Sequence, residues 1–195
     1  KGVFAEIYKT LLKRMGLKPK VQWYDFAALI PTIQSGRVDV IGPALSITQS
    51  RAQVFNYSEP IFMQPECLAM RSDTNIASWE DAAAKGMTLA TVVGYFQIGI
   101  WEELGVNVRT FDNTVAAFTD VINGGSDGAG VGCFDLSYYQ SLNPDSDVAK
   151  LKNVAISGPT VVVDMNGFGM IKTNPGLARE LQQQLKDMWR SGEIE

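Results

Sequence analysis

The sequence predicts an α/β fold in which one chain forms two lobes. Short apolar runs typical of buried strands alternate with amphipathic segments typical of helices, and the alternation occurs in both halves of the chain. Glycines follow most of the helical segments directly, which indicates helix ends and short connections. The length of 195 residues, at about 150 residues per domain, fits one large domain or two small ones.

The first half of the chain predicts a helix and then a strand, a helix and a second strand. Residues 4–15 carry apolar side chains at helical spacing with basic side chains opposite, and Gly16 ends this helix. Residues 21–24 are β-branched and aromatic, as in a strand, 26–35 form a helix, and 38–43 form a short buried strand. This order predicts a parallel pair of strands.

The second half repeats the alternation of strands and helices. It follows a polar turn at 46–51 and a loop at 58–60. Ser78 and Asp81 form a capping pair at one helix start. The predicted strands are 67–71, 89–93, 106–111, 128–134, 161–164 and 167–171. The predicted helices are 78–85, 97–104, 114–122 and 177–190.

The composition excludes several classes of function. The chain has no histidine, which excludes Ser-His-Asp and Cys-His nucleophiles, His-ligated zinc or haem, and a histidine general base. The net charge is −4, and no basic run exceeds Lys13-Arg14, so the electrostatic attraction that nucleic-acid binding requires is missing. The apolar stretches are far shorter than the roughly 20 residues that a bilayer requires. We therefore expect no cofactor, no metal and no nucleic-acid partner.

Cysteines and glycines give weaker signals. Cys67 and Cys133 are too few for a disulfide framework and too far apart for a CxxC site, and each is typical of a small buried hydrophobic residue; their pairing stays open. Segment 128–134 alternates glycine with small or apolar residues, which indicates a strand whose neighbours come close to its backbone. A dinucleotide fingerprint is excluded there, because Cys133 stands where the third glycine is required.

One long segment resembles a known family. Residues 28–62 read ALIPTIQSGRVDVIGPALSITQSRAQVFNYSEPIF. They resemble, in order, the LIPxLxSGxxD, SITxxR and FSxPY motifs of the bacterial family 3 extracellular solute-binding proteins, the polar-amino-acid receptors of ABC importers. Further likenesses are the turn at Gly94, the G-x-x-D motif at 124–127 and the final helix with its SGEIE ending.

The resemblance implies the type II periplasmic-binding-protein fold, in which hinge strands join two α/β lobes around an interlobe cleft. Lobe one would comprise residues 1–63 plus 166–195, and lobe two residues 64–165. Family members begin with a strand and a loop that precede the first helix of this sequence. We therefore expect the first N-terminal strand to be missing and a neighbouring sheet edge to be open.

The resemblance also implies a function. We expect a monomeric protein that is not an enzyme, closes its lobes on a small zwitterionic solute such as an amino acid or a compatible solute, and delivers it to an ABC transporter permease. Such receptors are periplasmic, or extracellular and lipid-anchored in a Gram-positive envelope. Two alternatives stay open: a dehydratase-type enzyme on the same scaffold, which needs a carboxylic acid in the cleft, and the ligand-binding domain of a sensor or channel.

The resemblance assigns the charged ligand contacts. The arginine of SITxxR, here Arg51, would bind the ligand's α-carboxylate, because a guanidinium donates two parallel hydrogen bonds to a carboxylate. Ser46 and Thr48 precede Arg51 and would bind the same carboxylate, although either hydroxyl could instead cap a helix. Asp135 would hold the ammonium group. It lies farther from Asp127 than the family's D-A-x-x-x-D spacing allows, so either Asp127 is not the family's first aspartate or the strand is bulged.

The remaining predicted contacts are aromatic or small. Phe26 matches a position that packs over the ligand, and Tyr95 and Phe96 replace small hydroxyl residues in the loop after Gly94. Ala44 stands where polar receptors often have serine. Since an aromatic wall beside an arginine favours cationic or apolar bulk next to a carboxylate, we expect a compact zwitterion such as a cyclic or methylated amino-acid derivative, ectoine or an apolar amino acid.

Overall fold

The computed structural model describes residues 3–159, 161 and 163–194, without the side chains of Val3, Pro43 and Ala44. The helices are α1 (Val3–Arg14), α2 (Leu29–Gln34), α3 (Gln49–Ala52), α4 (Trp79–Ala84), α5 (Gln97–Glu103), α6 (Thr114–Ile122), α7 (Cys133–Leu142) and α8 (Pro175–Ser191), with short 3₁₀ helices at Phe26–Ala28 and Asp147–Lys150. The strands are β1 (Val40–Ser46), β2 (Asn56–Tyr57), β3 (Phe62–Gln64), β4 (Glu66–Met70), β5 (Thr88–Val92), β6 (Asn107–Phe111), β7 (Gly128–Gly132), β8 (Lys152–Ala155) and β9 (Asp164–Met170). No helix of the described residues is long and apolar enough to cross a membrane.

The chain divides into two compact units. Unit 1 comprises residues 1–24, 28–63 and 165–195, and unit 2 comprises residues 25–27 and 64–164. The chain therefore enters unit 2 after Met63 and returns to unit 1 after Asp164.

Unit 1 is built around β9, which pairs antiparallel with β1 and β2 and also pairs with β3. Helix α8 places Leu181, Leu185 and Met188 on one buried face, as its helical spacing requires. These side chains form a core with Phe168 and Met170 of β9. Gly192 ends the helix in the left-handed conformation, with a φ of 74°.

Unit 2 contains a five-stranded sheet in the order β6-β5-β7-β4-β8. The β5–β6 and β5–β7 pairs are parallel, and the connections run through α5 and α6. Strand β4 pairs antiparallel with both β7 and β8. The sequence prediction of βα units is therefore confirmed here, where strands 88–92, 107–111 and 128–132 lie close to their predicted positions.

Both faces of the unit 2 sheet are covered, because successive residues of a strand point to opposite faces. In β4, Leu68 and Met70 belong to a cluster that contains Trp79 and Trp101. Ala69, between them, belongs to a second cluster on the helices α6 and α7. All five residues of β4 are buried, which explains its nearly continuous apolar sequence.

A disulfide joins Cys67 of β4 to Cys133, the first residue of α7. The pairing, which the sequence leaves open, is therefore formed. The partners are 66 residues apart in sequence, and the register of β4 against β7 brings them together. The bond fixes the start of α7 to the sheet of unit 2.

Two sequence predictions are wrong, and two predicted strands differ in extent from the described ones. Residues 21–24 form no strand, and Val21 and Trp23 are exposed because no partner strand covers them. The predicted parallel unit around helix 26–35 is therefore absent, and β1 pairs antiparallel with β9 instead. Strand 128–134 ends at Gly132, because residues from 133 onward form α7. The predicted strand 161–164 contributes only Asp164 to a described strand, and residue 162 lies outside the described residues.

Candidate functional site

Arg51 is held in a polar turn of unit 1. Strand β1 ends at Ser46, and the four-residue helix α3 begins after Thr48, whose hydroxyl accepts a hydrogen bond from the Arg51 N–H at 3.2 Å. The Arg51 side chain is buried, and its Nη1 donates to the Ser46 carbonyl at 3.1 Å. The Tyr57 hydroxyl donates to the same carbonyl at 2.6 Å. The guanidinium is thus fixed in a defined position.

The two hydroxyl residues near Arg51 have defined places in the chain. Thr48 caps α3, which was the alternative considered from the sequence, and its Oγ1 also lies 3.2 Å from the Ser50 hydroxyl. Ser46 lies in β1 opposite Asn166 of β9, and its backbone carbonyl is the acceptor for Arg51 and Tyr57. The side chain of Ala44, predicted to line the pocket, lies outside the described residues.

An aromatic pair forms in unit 2 from residues far apart in sequence. The rings of Phe26 and Tyr95 lie 5.3 Å apart and are tilted by 51°. Gly94 turns the chain at a φ of 87°, and a side chain there would contact the Phe26 ring. Phe96 follows as the N-cap of α5 and is half-buried. The structure therefore brings Phe26 and Tyr95 together.

Asp135 lies in the first turn of α7, not directly at the end of a strand. The register of β7 against β4 runs without interruption from Gly128 to Gly132, so the bulged-strand explanation for its spacing is wrong. Burial raises the pKa of Asp135, a hydrogen bond with the Gly132 backbone lowers it, and the charge of Asp164 raises it. Asp135 therefore shares its surroundings with a second carboxyl group.

A third carboxyl group, which the sequence analysis missed, belongs to Glu66. It is buried at the start of β4, directly opposite Gly132 in the register with β7. Its Oε1 accepts a hydrogen bond from Gln97 Nε2 at 3.3 Å. Desolvation raises the pKa of Glu66 to about 7, against the lowering effect of the Gln97 hydrogen bond, and Asp164 adds to the rise. We call Glu66, Asp135 and Asp164 the carboxyl cluster.

Two amide side chains accompany the carboxyl cluster. Gln64 Nε2 donates to Asp164 Oδ2 at 2.8 Å, and the Gln64 amide fills the space beside Gly132, where a Cβ would lie 2.6 Å from Gln64 Oε1. Gln97 is buried, and its Oε1 has no hydrogen-bond partner among the described residues. The sequence signal for this region was a single acidic residue in the otherwise apolar segment ECLAM.

Chemically, the described residues offer an anion-binding guanidinium in unit 1 and a group of hydrogen-bond acceptors in unit 2. None of the ion pairs found among the described residues involves Glu66 or Asp135. Within the described part of the chain, no group of three or more Asp, Glu or Cys side chains is arranged to hold a metal ion.

Comparisons with known proteins agree with the sequence signature. A family model described as bacterial extracellular solute-binding proteins, family 3, matches residues 1–195. The ABC transporter glutamine-binding protein GlnH of Bacillus subtilis is 24% identical over 195 residues, which is 98% of this chain and 68% of that protein. The glutamine-binding protein of Geobacillus stearothermophilus is 30% identical over 131 residues, which is 65% of this chain.

Solved structures agree as well. An ancestral arginine-binding protein bound to arginine superposes with a TM-score of 0.82 and 25% identity, over 96% of this chain and 82% of that one. The overall α/β architecture is therefore that of two-lobe amino-acid-binding proteins. The match with the first curated relatives spans about half of their length, 48% and 50%.

Proposed function

The chain belongs to family 3 of the bacterial extracellular solute-binding proteins, and from this premise we propose that it is the substrate-binding component of an ABC importer. In this role it captures a small amino acid or amino-acid-like zwitterion and delivers it to a membrane permease. The relatives named as glutamine-binding and the structural neighbour named as arginine-binding support the amino-acid class of the ligand.

The observation that carries the proposal is the fixed, buried guanidinium of Arg51. Hydrogen bonding to the Ser46 carbonyl and the capped turn at Thr48 hold it in place. A buried guanidinium recognises a carboxylate strongly, because water competes little and the two N–H donors match the two carboxylate oxygens. We assign to Arg51 the α-carboxylate of the ligand.

The opposite charge of a zwitterion needs an acceptor, and we assign this role to Asp135. The carboxyl cluster around it supplies negative charge, and the Phe26–Tyr95 pair supplies aromatic surface in the same unit. Together with Arg51, these groups favour a ligand with one carboxylate, one cationic group and compact apolar bulk. An apolar amino acid, ectoine and related cyclic or methylated derivatives have this chemistry.

Calorimetric titration tests the proposal. The ligands are the twenty amino acids, ectoine and glycine betaine, and we expect tight one-to-one binding of at least one of them. Binding of arginine, lysine or glutamine only would contradict the compact apolar ligand and leave the receptor function in place. Binding of none of these compounds would contradict the proposed function.

The cellular setting that we propose is outside the cytoplasm, in the periplasm or anchored to lipid at a cell surface. The family is described as extracellular, and the disulfide between Cys67 and Cys133 suits an oxidising compartment. Conversion of prephenate or arogenate during incubation would instead support the dehydratase alternative, whereas stoichiometric binding without turnover supports the receptor. We propose that the protein acts as a monomer, which sedimentation with and without ligand tests.

A further inference from the structure

The carboxyl cluster of unit 2 contains one residue whose position suggests a direct role in binding. We propose that Glu66, with the amide of Gln97, joins Asp135 in binding the cationic group of the ligand and makes the site selective for ligands that carry one. This inference rests on the proposed function and specifies which side chains recognise the ligand's positive end.

Glu66 has a defined position relative to Gly132 in the sheet of unit 2. The two residues lie directly opposite each other in adjacent antiparallel strands, so a side chain at either position projects from the same face of the sheet. Gly132 has no side chain, and Asp135 forms a hydrogen bond with the Gly132 backbone. A Cβ at Gly132 would meet the Gln64 amide, which donates to Asp164, so Glu66, Asp135 and the Gln64–Asp164 pair all lie around this one residue.

The surroundings of Glu66 offer more hydrogen-bond acceptors than donors. Glu66 is only 5% exposed, and Gln97 is 7% exposed. The Gln97 amide is directed at Glu66 through its Nε2, yet its Oε1 has no hydrogen-bond partner among the described residues. Leaving a buried polar atom without a partner costs about 1–3 kcal/mol, so such an atom usually marks a missing partner. The missing partner here is a donor, and an ammonium group supplies three N–H donors together with the charge that the carboxyl groups lack.

Glu66 holds its proton more tightly than an ordinary glutamate. Burial, with a smaller contribution from the charge of Asp164, raises the pKa of Glu66 to about 7 against the lowering effect of the Gln97 hydrogen bond, so in the free protein this carboxyl is about half protonated at pH 7. The groups that act on Glu66 are the Asp164 carboxyl group of β9 and the Gln97 amide, and Asp164 in turn accepts a hydrogen bond from Gln64 and raises the pKa of Asp135. A bound ammonium would replace the proton, and binding would release that proton to the solvent.

A charge-matched pair of variants tests the proposal. Glu66→Gln removes the buried charge and keeps the size of the side chain, whereas Glu103→Gln makes the same change at an exposed position of α5 in the same unit. The probes are the twenty amino acids and ectoine, with each amino acid that binds compared with its analogue in which hydrogen replaces the α-ammonium group. We expect the dissociation constant for the bound compound to rise about tenfold or more in Glu66→Gln and to stay within about twofold in Glu103→Gln.

The selectivity measurement separates binding from folding. The parent protein should prefer the amino acid over its deaminated analogue, and Glu66→Gln should lose most of this preference, which a purely structural role would not produce. Equal affinities and equal preferences in the parent protein and Glu66→Gln would overturn the inference while the proposed function stands. A parent protein that binds none of the probes would overturn both.

A measurement on the parent protein covers the case in which Glu66→Gln fails to fold. Titrations at pH 7 in buffers of different ionisation enthalpy report the number of protons released on binding. We expect a net release of a substantial fraction of one proton per ligand, because Glu66 titrates in this range. Absence of proton release would overturn the inference even if the variant cannot be prepared.

Discussion

Arg51 is the residue on which the proposed binding chemistry depends most directly. Its Nη1 donates to a backbone carbonyl, and its backbone N–H completes the cap of α3, so its position is set by the local chain. Arg51→Lys keeps the positive charge but removes the planar pair of donors. We expect the free energy of ligand binding to weaken by about 2 kcal/mol, roughly thirtyfold in affinity, as measured by calorimetry.

The control for this prediction is Arg190→Lys in the last turn of α8. The Arg190 side chain is 74% exposed and pairs only with the nearby Asp187 among the ion pairs of the described residues. Ligand affinity should not change in this variant. An equal loss of affinity in both variants, or in neither, would contradict the role of Arg51 in binding the carboxylate.

Glu66 makes the free energy of unfolding depend on pH. Its pKa is about 7 in the folded protein against 4.5 as the unperturbed value, so the folded state binds its proton more tightly than the unfolded state. Its contribution to stability is therefore fully present below pH 4.5 and is lost as the pH rises through about 7. The loss corresponds to about 3 kcal/mol.

Urea denaturation of the parent protein and Glu66→Gln at a series of pH values measures this effect. The free energy of unfolding of the variant should rise relative to that of the parent protein between pH 4.5 and about 7. Glu103→Gln should follow the parent protein at every pH. A constant difference between the parent protein and Glu66→Gln would contradict the raised pKa.

The site was predictable from sequence where its contacts are local. Arg51 and Thr48 lie within one six-residue motif, and the capping of α3 by Thr48 depends on residues three positions apart. Glu66 was missed because its neighbours Gln97 and Asp164 come from distant parts of the chain. A single acidic residue in an apolar strand carries no information about such neighbours until the sheet register is known.

At the scale of elements, the glycine-rich strand β7 shows why small residues are needed in the middle of the unit 2 sheet. A Cβ on Gly130 would lie only 1.9 Å from the buried Trp101 ring, which packs directly on the strand backbone. The sequence expectation that neighbours come close to this backbone is confirmed. Gly130→Ala should therefore lower the free energy of unfolding by about 3 kcal/mol in denaturant titrations.

Gly99→Ala is the matched control for the same change of residue. Gly99 lies in α5 and is exposed, and a Cβ there would meet no atom within 4 Å. Because alanine favours the helix over glycine, this variant should be stabilised by about 0.5–1 kcal/mol. Destabilisation of similar size in both variants would indicate that glycine flexibility, not the contact with Trp101, explains the effect.

The disulfide links the element that carries Glu66 to the element that carries Asp135. The bond closes a loop with a sequence separation of 66 residues between β4 and α7. The double variant Cys67→Ala/Cys133→Ala should lose about 4 kcal/mol of stability, because the unfolded chain regains the entropy of the open loop. Denaturation with and without dithiothreitol measures the loss. The reductant should destabilise the parent protein and leave the double variant unchanged; an insensitive parent protein would contradict the prediction.

A helix or strand was predictable when the apolar residues in its own sequence marked the side that is buried. Helix α8 has a single apolar face that its core contacts confirm. Helix α7 was missed because it exposes Phe134, Tyr138 and Leu142 to solvent, so its apolar residues do not mark the buried side. The segment 21–24 has the composition of a strand, but it lacks a pairing partner.

For the whole molecule, the absence of histidine is compatible with the proposed function. In the proposed function, a guanidinium and a carboxylate bind the zwitterion, and this binding needs no histidine base. The carboxyl cluster nevertheless provides one group, Glu66, that titrates near neutral pH. The net charge of the chain is negative. The positive Arg51 lies in unit 1, and the carboxyl cluster lies in unit 2.

This division of charge makes a prediction about the whole chain. The proposed function gives the ligand's carboxylate to Arg51 and its cationic group to Asp135, so we expect binding to slow amide hydrogen exchange around both residues. At a ligand concentration of 100 times the dissociation constant, the added protection amounts to about 2.7 kcal/mol. Hydrogen-exchange mass spectrometry should detect it in peptides that contain α3 and in peptides that contain α7. In Arg51→Lys at the same ligand concentration, protection should fall in both sets of peptides, because the affinity for the ligand falls. Protection confined to one set of peptides would contradict the assigned pair of contacts.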